Sequence, residues 1–170
     1  PVLYVDEADV HLNPKIGCAW TLRGEQKKVR TPGPNKKRAI AGALNASTGN
    51  IVYIVRDTKK SSLFIDLLSE LSKKYRRAKT MHLILDNYSI HKSQLTKKAL
   101  LQYKNRFKLH FLPSYGQDLN KIEMLWKQMH DNVTRNHRCE TLPELVHNVE
   151  VFLNAASPFL KTHPSLNMVA

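Results

Sequence analysis

Three carboxylates in this chain have the residue types and the settings to do chemistry together. Asp86 closes the apolar run Leu83-Ile84-Leu85, Asp6 follows the apolar run Pro1 to Val5, and Glu123 lies in the first turn of an amphipathic segment that carries Ile122, Leu125 and Trp126. Taken singly, each has a plain structural role. Asp86 before Asn87 would cap a turn, Asp6 would face water at a strand end, and Asn120 with Glu123 has the spacing of a capping box. Taken jointly, they could hold hard divalent cations, Mg²⁺ or Mn²⁺, which prefer oxygen ligands from one or two carboxylates plus substrate phosphate. Two such ions roughly 3.5–4 Å apart activate an attacking hydroxyl and stabilise the leaving oxygen of a phosphodiester. That chemistry has a geometric condition: the strands that end on Asp6 and Asp86 must be neighbours.

The elements able to meet the condition follow from periodicity. Val2 to Asp6 is β-rich. Gly17 to Leu22 is a further strand candidate, closed by the turn signal Arg23-Gly24. Arg38 to Asn45 and Ile51 to Val55 flank Ser47-Thr48-Gly49-Asn50 and predict a hairpin. Leu63, Phe64, Leu67, Leu68 and Leu71 recur at helical spacing, with Ser61 or Ser62 to cap the start and the cations of residues 73–77 at the C-terminal end. Met81 to Leu85 is nearly all apolar, as in a strand buried on both faces. Lys92 to Tyr103 reads as a helix, Lys108 to Leu112 as the last strand, and Asn120 to about Asn136 as an amphipathic helix. Thr141 to Asn154 reads as a final helix, capped by Thr141, with Pro143 in its first turn and Glu144 completing the cap. Short connections among the early strands and helical ones later predict an α/β fold: a mixed five-stranded sheet, three antiparallel strands then two parallel, flanked by helices. With the first strand central and the fourth parallel beside it, Asp6 and Asp86 would reach the same edge.

Charge points to the partner. The 27 Lys and Arg against 14 Asp and Glu leave a net charge of +13 over 170 residues, an excess that no fold requires and that favours polyanions, chiefly nucleic acid. The two cysteines, Cys18 and Cys139, form no paired motif, which argues against a zinc module or a disulfide framework. No apolar run has the length of a membrane span, no helix sets Lys and Arg opposite an aromatic face, and no signal-peptide pattern opens the chain. A membrane and a small-molecule substrate are therefore not expected. The length suits one domain with a sizeable core. Residues 1–156 are assigned to it and residues 157–170 to a C-terminal tail, with an upstream domain expected outside this chain.

The segments at residues 6–24, 42–49, 83–93 and 111–127, including LILDNYSIHKS and FLPSYGQDLNKIEMLWK, resemble the catalytic domain of DDE transposases of the insertion-sequence and mariner superfamily. The resemblance implies a ribonuclease H-like fold. It implies Asp6, Asp86 and Glu123 as the catalytic, metal-binding triad, with two Mg²⁺ or Mn²⁺ ions. The implied reaction is in-line attack on DNA, first by water to free a transposon end and then by the freed 3′-hydroxyl on target DNA. Transposon ends and target DNA are the implied partners, a homodimer on DNA the implied assembly, and an upstream helix-turn-helix region the implied missing domain. The compartment would be cytoplasmic in a bacterium and nuclear in a eukaryote. Ser114, Gly116, Gln117 and Lys121 depart from the family's usual proline, serine, proline and proline; Lys121 places a cation at the positive end of a helix. A ribonuclease H-like nuclease or resolvase, or an inactive DNA-binding remnant of a mobile element, remain as alternatives.

Around the triad, Asn87 could orient Asp86 or touch phosphate, or simply form a turn. His91 and Lys92 lie just beyond, His91 as a DNA contact or a proton-transfer group or, more simply, a histidine facing water. Tyr115 and Asp118 precede the helix of Glu123 and could meet the substrate. Arg23, Lys27, Lys28, Arg30, Lys36 and Lys37, in and beside a basic Pro- and Gly-rich loop, are the candidate DNA contacts. Trp126 and Trp20 read as packing residues. Glu7 would point to the opposite strand face from Asp6 and is left out of the metal shell.

Overall fold

The computed structural model describes residues 1–113 and 119–159. Five strands form one mixed sheet: β1 (Val2–His11), β2 (Lys37–Asn45), β3 (Ile51–Arg56), β4 (Met81–Leu85) and β5 (Phe107–Phe111), in the spatial order β3-β2-β1-β4-β5. The first three are antiparallel, while β4 and β5 run parallel to β1 and to each other. The expected mixed sheet is therefore present, with β1 central. Helix α1 (Ser61–Lys74) crosses from β3 to β4, and the short α2 (Ser89–Lys92) with α3 (Gln94–Gln102) crosses from β4 to β5. Helix α4 (Ile122–Met129) runs on into a π-helical turn (His130–Thr134), and α5 (Leu142–Ala155) closes the fold.

Two apolar clusters hold the layers. Leu63, Phe64, Leu67, Leu68 and Leu71 of α1 are fully buried against Leu3, Val5, Ala41 and Leu83 of the sheet. Each such side chain stabilises by about 1.5–3 kcal/mol. On the other face Ile122, Leu125, Trp126 and Met129 of α4 join Leu145, Val149 and Leu153 of α5 against Ala8, Val10, Ile40 and Leu44. The alternation of β1 between these clusters follows from the two-residue period of a strand.

Several local expectations give way. Gly17 to Leu22 forms no strand; it belongs to a long exposed segment between β1 and β2, and Trp20 is fully exposed rather than packed. Gly17 pairs its backbone N–H and carbonyl with the side chain of Asn136 rather than with a strand. Met81 to Leu85 is buried on one face only, His82 and Ile84 being half-buried, because α4 and α5 pack on β1 to β3 and leave this half of the sheet open. The helix expected from Lys92 is two, with Ser93 capping the second through Thr96. Asn120 does not cap α4 with its side chain: its amide donates to the carbonyl of Val5, 3.0 Å away and buried. Neither Ser61 nor Ser62 caps α1, whose N-cap position is Lys60.

Candidate functional site

Register explains how Asp6 and Asp86 come together. The parallel ladder of β1 with β4 pairs Val2 with His82, Leu3 with Leu83 and Tyr4 with Ile84, and stops there. Two residues beyond the last pair stand Asp6, on β1, and Asp86, just past the end of β4. β1 does not end at Asp6 as expected. It continues to His11, paired with β2 alone, while β4 ends at Leu85. The gap left beside β1 is the mouth of a cleft of about 390 Å³, lined among others by Asp6, Glu7, Lys59, Asp86, Asn120 and Glu123. All three predicted carboxylates line it. Among the described residues no three His, Cys, Asp or Glu side chains close on one point as a finished metal cage; the acids share a cleft without meeting.

Asp6 is held from the α4 side. The indole Nε1 of Trp126 donates to its Oδ2 at 3.0 Å, so the helix that carries Glu123 also fixes the first acid. The ring can reach because position 42, directly across the ladder from Asp6, is glycine. A Cβ there would stand 2.6 Å from the Trp126 ring. Trp126 is thus the expected packing residue and a hydrogen-bond donor as well. Burial, and next the negative charge of Glu123, push the Asp6 carboxyl up to about 7; the backbone N–H of Glu7 and the ammonium of Lys59 pull the other way.

Asp86 is held from the opposite side. Its Oδ1 accepts the backbone N–H of Tyr88 at 3.0 Å, the turn role foreseen for a strand-end acid, and it lies 3.2 Å from Nε2 of His91. His91 is only 2% exposed, so it neither faces water nor offers a surface to DNA. The reason is packing: α2 turns the ring inward onto Phe64, with 4.6 Å between ring centroids. Burial pulls the imidazole down to about 4 despite the neighbouring Asp86.

Glu7, which strand alternation sets apart from Asp6, belongs to the site all the same. Its side chain does point away from Asp6, toward the face of Leu3 and Val5, but that face opens into the cleft once β4 has left. The side chain is fully buried, 3.6 Å from His91 Nε2 and 3.9 Å from Lys59 Nζ, and burial pushes its carboxyl up to about 8. Lys59 also donates to the Glu7 carbonyl at 3.1 Å and lies over the Tyr88 ring. A glutamate in register with two core residues of its own strand is the signal that the sequence carries for it.

Asn87 lines the cleft but spends its side chain on structure: its amide donates to the Leu112 carbonyl at 2.7 Å and its Oδ1 accepts from Lys92 at 2.6 Å. Arg23, Lys27, Lys28, Arg30, Lys36 and Lys37 are exposed, and none lines the carboxylate cleft. Lys37 pairs with Asp9, and Arg30 pairs loosely with Glu140. Tyr115 and Asp118 lie outside the described residues. A second recess beside the first, about 280 Å³, joins Asp6 and Glu123 to Lys127, His130 and Arg135 of α4 and the turn after it. Lys127 and Arg135 make this flank basic, and it has no signature in the sequence because the turn alone brings them together.

Comparison with known proteins agrees with the fold. The sequence profile of the DDE superfamily endonucleases matches residues 1–146. An insertion element IS630 uncharacterized 39 kDa protein from Shigella sonnei is 48% identical over 159 residues, covering 94% of this chain and 46% of that protein. This chain therefore spans about half the length of the curated relative it matches. Among solved structures, a pre-cleavage Mos1 transpososome superposes with a TM-score of 0.68 at 16% identity, over 91% of this chain and 48% of the other. The Mos1 mariner paired-end complex with Mn gives 0.67 at 14% identity, over 91% and 48%. The catalytic core domain of BIV integrase gives 0.57 at 14%, over 96% and 85%. The shared fold is the ribonuclease H-like one.

Proposed function

This chain belongs to the DDE superfamily endonucleases, and from that premise we propose that it is the catalytic core of a transposase that cuts and joins DNA with divalent metal ions. The observation that carries the reading is the convergence of Asp6, Asp86 and Glu123 on one cleft at the point where β4 leaves β1. The donor set fits Mg²⁺ or Mn²⁺: the acids supply hard oxygen ligands, and burial, with the charge of Glu123 next, already raises the Asp6 carboxyl, a cost to its ionised form that a cation would offset. Solved relatives of the same fold include Mos1 paired-end complexes with Mn and with Mg. Asp6, Asp86 and Glu123 would hold the ions. Once bound, they would supply Lewis-acid activation of an attacking hydroxyl and stabilisation of the leaving oxygen.

The chain's own groups do the rest. Trp126 fixes Oδ2 of Asp6, and the Asn120 amide ties the start of α4 to the Val5 carbonyl so that Glu123 stays over the cleft. Lys127 and Arg135 place cations in the adjoining recess, suited to the phosphates of one strand, while burial holds the His130 imidazole below its ordinary value. The exposed cations of residues 23–37 extend that positive surface away from the cleft. Binding dominated by phosphate contacts would be mostly sequence-independent and would weaken steeply with salt. Transposon ends and target DNA are the proposed substrates, with two copies of the chain on the DNA.

Nicking of supercoiled plasmid in Mn²⁺, by the wild type and by Asp86→Ala, tests the reading. The wild type should nick and the variant should not. Nicking that survives in the variant would overturn the assignment. A wild type that binds DNA without cutting would favour the inactive-remnant alternative, and cutting without joining of a transposon-end substrate would favour a plain nuclease.

A further inference from the structure

The two sides of the cleft contain unequal amounts of polar machinery, and the excess lies behind Asp86. His91 and Glu7 are both buried, and neither is needed to fill space. The surroundings of the His91 ring, including Phe64, Ile90 and the edge of Tyr88, would accept an apolar ring. A buried polar group without hydrogen-bond partners costs about 1–3 kcal/mol. Among the described residues, both ring nitrogens of His91 and both carboxyl oxygens of Glu7 are buried without an aligned hydrogen-bond partner. The contacts they do make form a chain. Nε2 of His91 stands 3.2 Å from Asp86 Oδ1 and 3.6 Å from Glu7 Oε2, and Lys59 closes the group on the far side of Glu7 at 3.9 Å. A small rotation of the ring or of the Asp86 carboxyl would align the nearer contact.

We propose that His91 is a positioning residue for Asp86, itself held in place by Glu7. The ring N–H takes Oδ1 of Asp86, together with the backbone N–H of Tyr88, and so turns the other oxygen outward into the cleft. Glu7 sits beneath the imidazole as the carboxyl group against which the ring is set. The arrangement mirrors the opposite wall, where the Trp126 N–H takes one oxygen of Asp6. Each strand-borne acid then has one oxygen held by a ring N–H. Second partners of this kind fix the orientation of a ligand, and losing one typically costs 10–100-fold in metal affinity or activity. The purpose assigned to His91 rests on the proposed metal-dependent reading; the orientation of Asp86 does not.

Two replacements separate positioning from packing. His91→Phe keeps the ring and its edge against Phe64 but removes the N–H; His91→Gln keeps a donor close to the place of Nε2 but packs less well. Mn²⁺ titration calorimetry on the metal-free chain should find His91→Phe about 10–100-fold weaker than wild type and His91→Gln within a few-fold of it. Thermal unfolding should rank them the other way, with His91→Phe at least as stable as His91→Gln. Mn²⁺ affinity unchanged in His91→Phe, or lowered more in His91→Gln, would overturn the proposal. Should the wild type itself neither bind Mn²⁺ nor nick plasmid, the metal-dependent reading fails on its own, and the carboxyl ¹³C resonance of Asp86 in the metal-free chain still decides the orientation. It should move in His91→Phe and stay near its wild-type position in His91→Gln; equal positions in wild type and His91→Phe would refute it.

Discussion

The carboxylate cleft and the exposed arm that follows it are joined by a few residues of one strand, yet they are opposite in construction. Around the cleft, each of three acids has a neighbour that constrains it: Trp126 for Asp6, Tyr88 and His91 for Asp86, Lys59 and His91 for Glu7. In residues 12–36 most side chains are exposed, and their polar contacts are few: Asn13 with the Gly33 carbonyl, Asn35 with His11, Thr21 with the Glu25 carbonyl and Arg30 loosely with Glu140. Position matters for chemistry, where a misplacement of an ångström costs rate. It matters little for a cation whose task is to sit near a phosphate in salt water. Changes in the cleft should therefore act through geometry, one residue at a time, and changes in the arm through total charge.

The sharpest way to break this contrast is to remove one residue from each region. Asp86→Ala should lower the rate of metal-dependent nicking by about 10³-fold, since a metal ligand contributes several kcal/mol to the transition state. Lys28→Ala in the arm should leave the rate at saturating DNA within a few-fold. A comparable loss of maximal rate in both variants would erase the distinction and make the arm part of the active site.

The next largest effect should appear as a dependence of stability on pH. In the folded chain Glu7 holds its proton up to about pH 8, whereas its ordinary value is 4.5. Folding therefore takes up a proton across this window, and stability falls as pH rises from about 4.5 to about 8. Asp6, raised from 3.8 to about 7, acts in the same direction. His91 acts oppositely: lowered from 6.5 to about 4, it makes stability fall as pH drops through that interval. Glu7→Gln removes the first contribution alone. Relative to wild type in chelator, it should gain stability between pH 5 and pH 8 by a few kcal/mol at most. Urea melts at both pH values check this, and a difference independent of pH would mean that Glu7 is ionised in the fold. No arm residue should produce such a slope.

Gly42→Ala tests how tightly the cleft is built from behind. A Cβ at this position would lie 2.6 Å from the Trp126 ring and 3.2 Å from Ile122, both buried in the same apolar cluster. The ring must shift, at a cost of about 1–3 kcal/mol for overpacking, and its N–H must leave Asp6. Loss of stability together with loss of nicking is the expected outcome, read by thermal melts and plasmid assays. A stable, fully active Gly42→Ala would show that the Trp126 bond to Asp6 is dispensable.

The same contrast governs how far the molecule was legible in its sequence. Strands β2 to β5 and helices α1 and α5 were readable because each buries a face and burial imposes a period. The alignment of Asp6 with Asp86 was readable because both follow apolar runs that pair in parallel. Where the ladder opens was not, since β1 continues to His11 on its pairing with β2, a contact between residues far apart in sequence. That opening is what admits Glu7 to the cleft from the face opposite Asp6. The burial of His91 was missed for a related reason: α2 is a single turn of helix, too short for a period to show which side faces inward. In the arm, Gly17 to Leu22 has the composition of a strand without a neighbour to pair with, and composition alone cannot supply one.

The smallest effects should come from the arm. Trp20 is fully exposed, with Ile16 and Leu22 also mostly exposed beside it. A tryptophan with no buried surface contributes nothing to the core, so Trp20→Ser should change the unfolding free energy by less than about 0.5 kcal/mol, against several for a core aromatic. Denaturant melts measure it directly, and a larger drop would mean that the ring packs after all, as its composition had suggested. The arm's cations should register only in how binding responds to salt. Replacing Lys27 and Lys28 together by Ala should weaken DNA binding equally across sequences. The slope of log affinity against log salt should become shallower by about one for each phosphate that these lysines neutralise. A changed sequence preference, with the slope unaltered, would mean that they read bases rather than backbone.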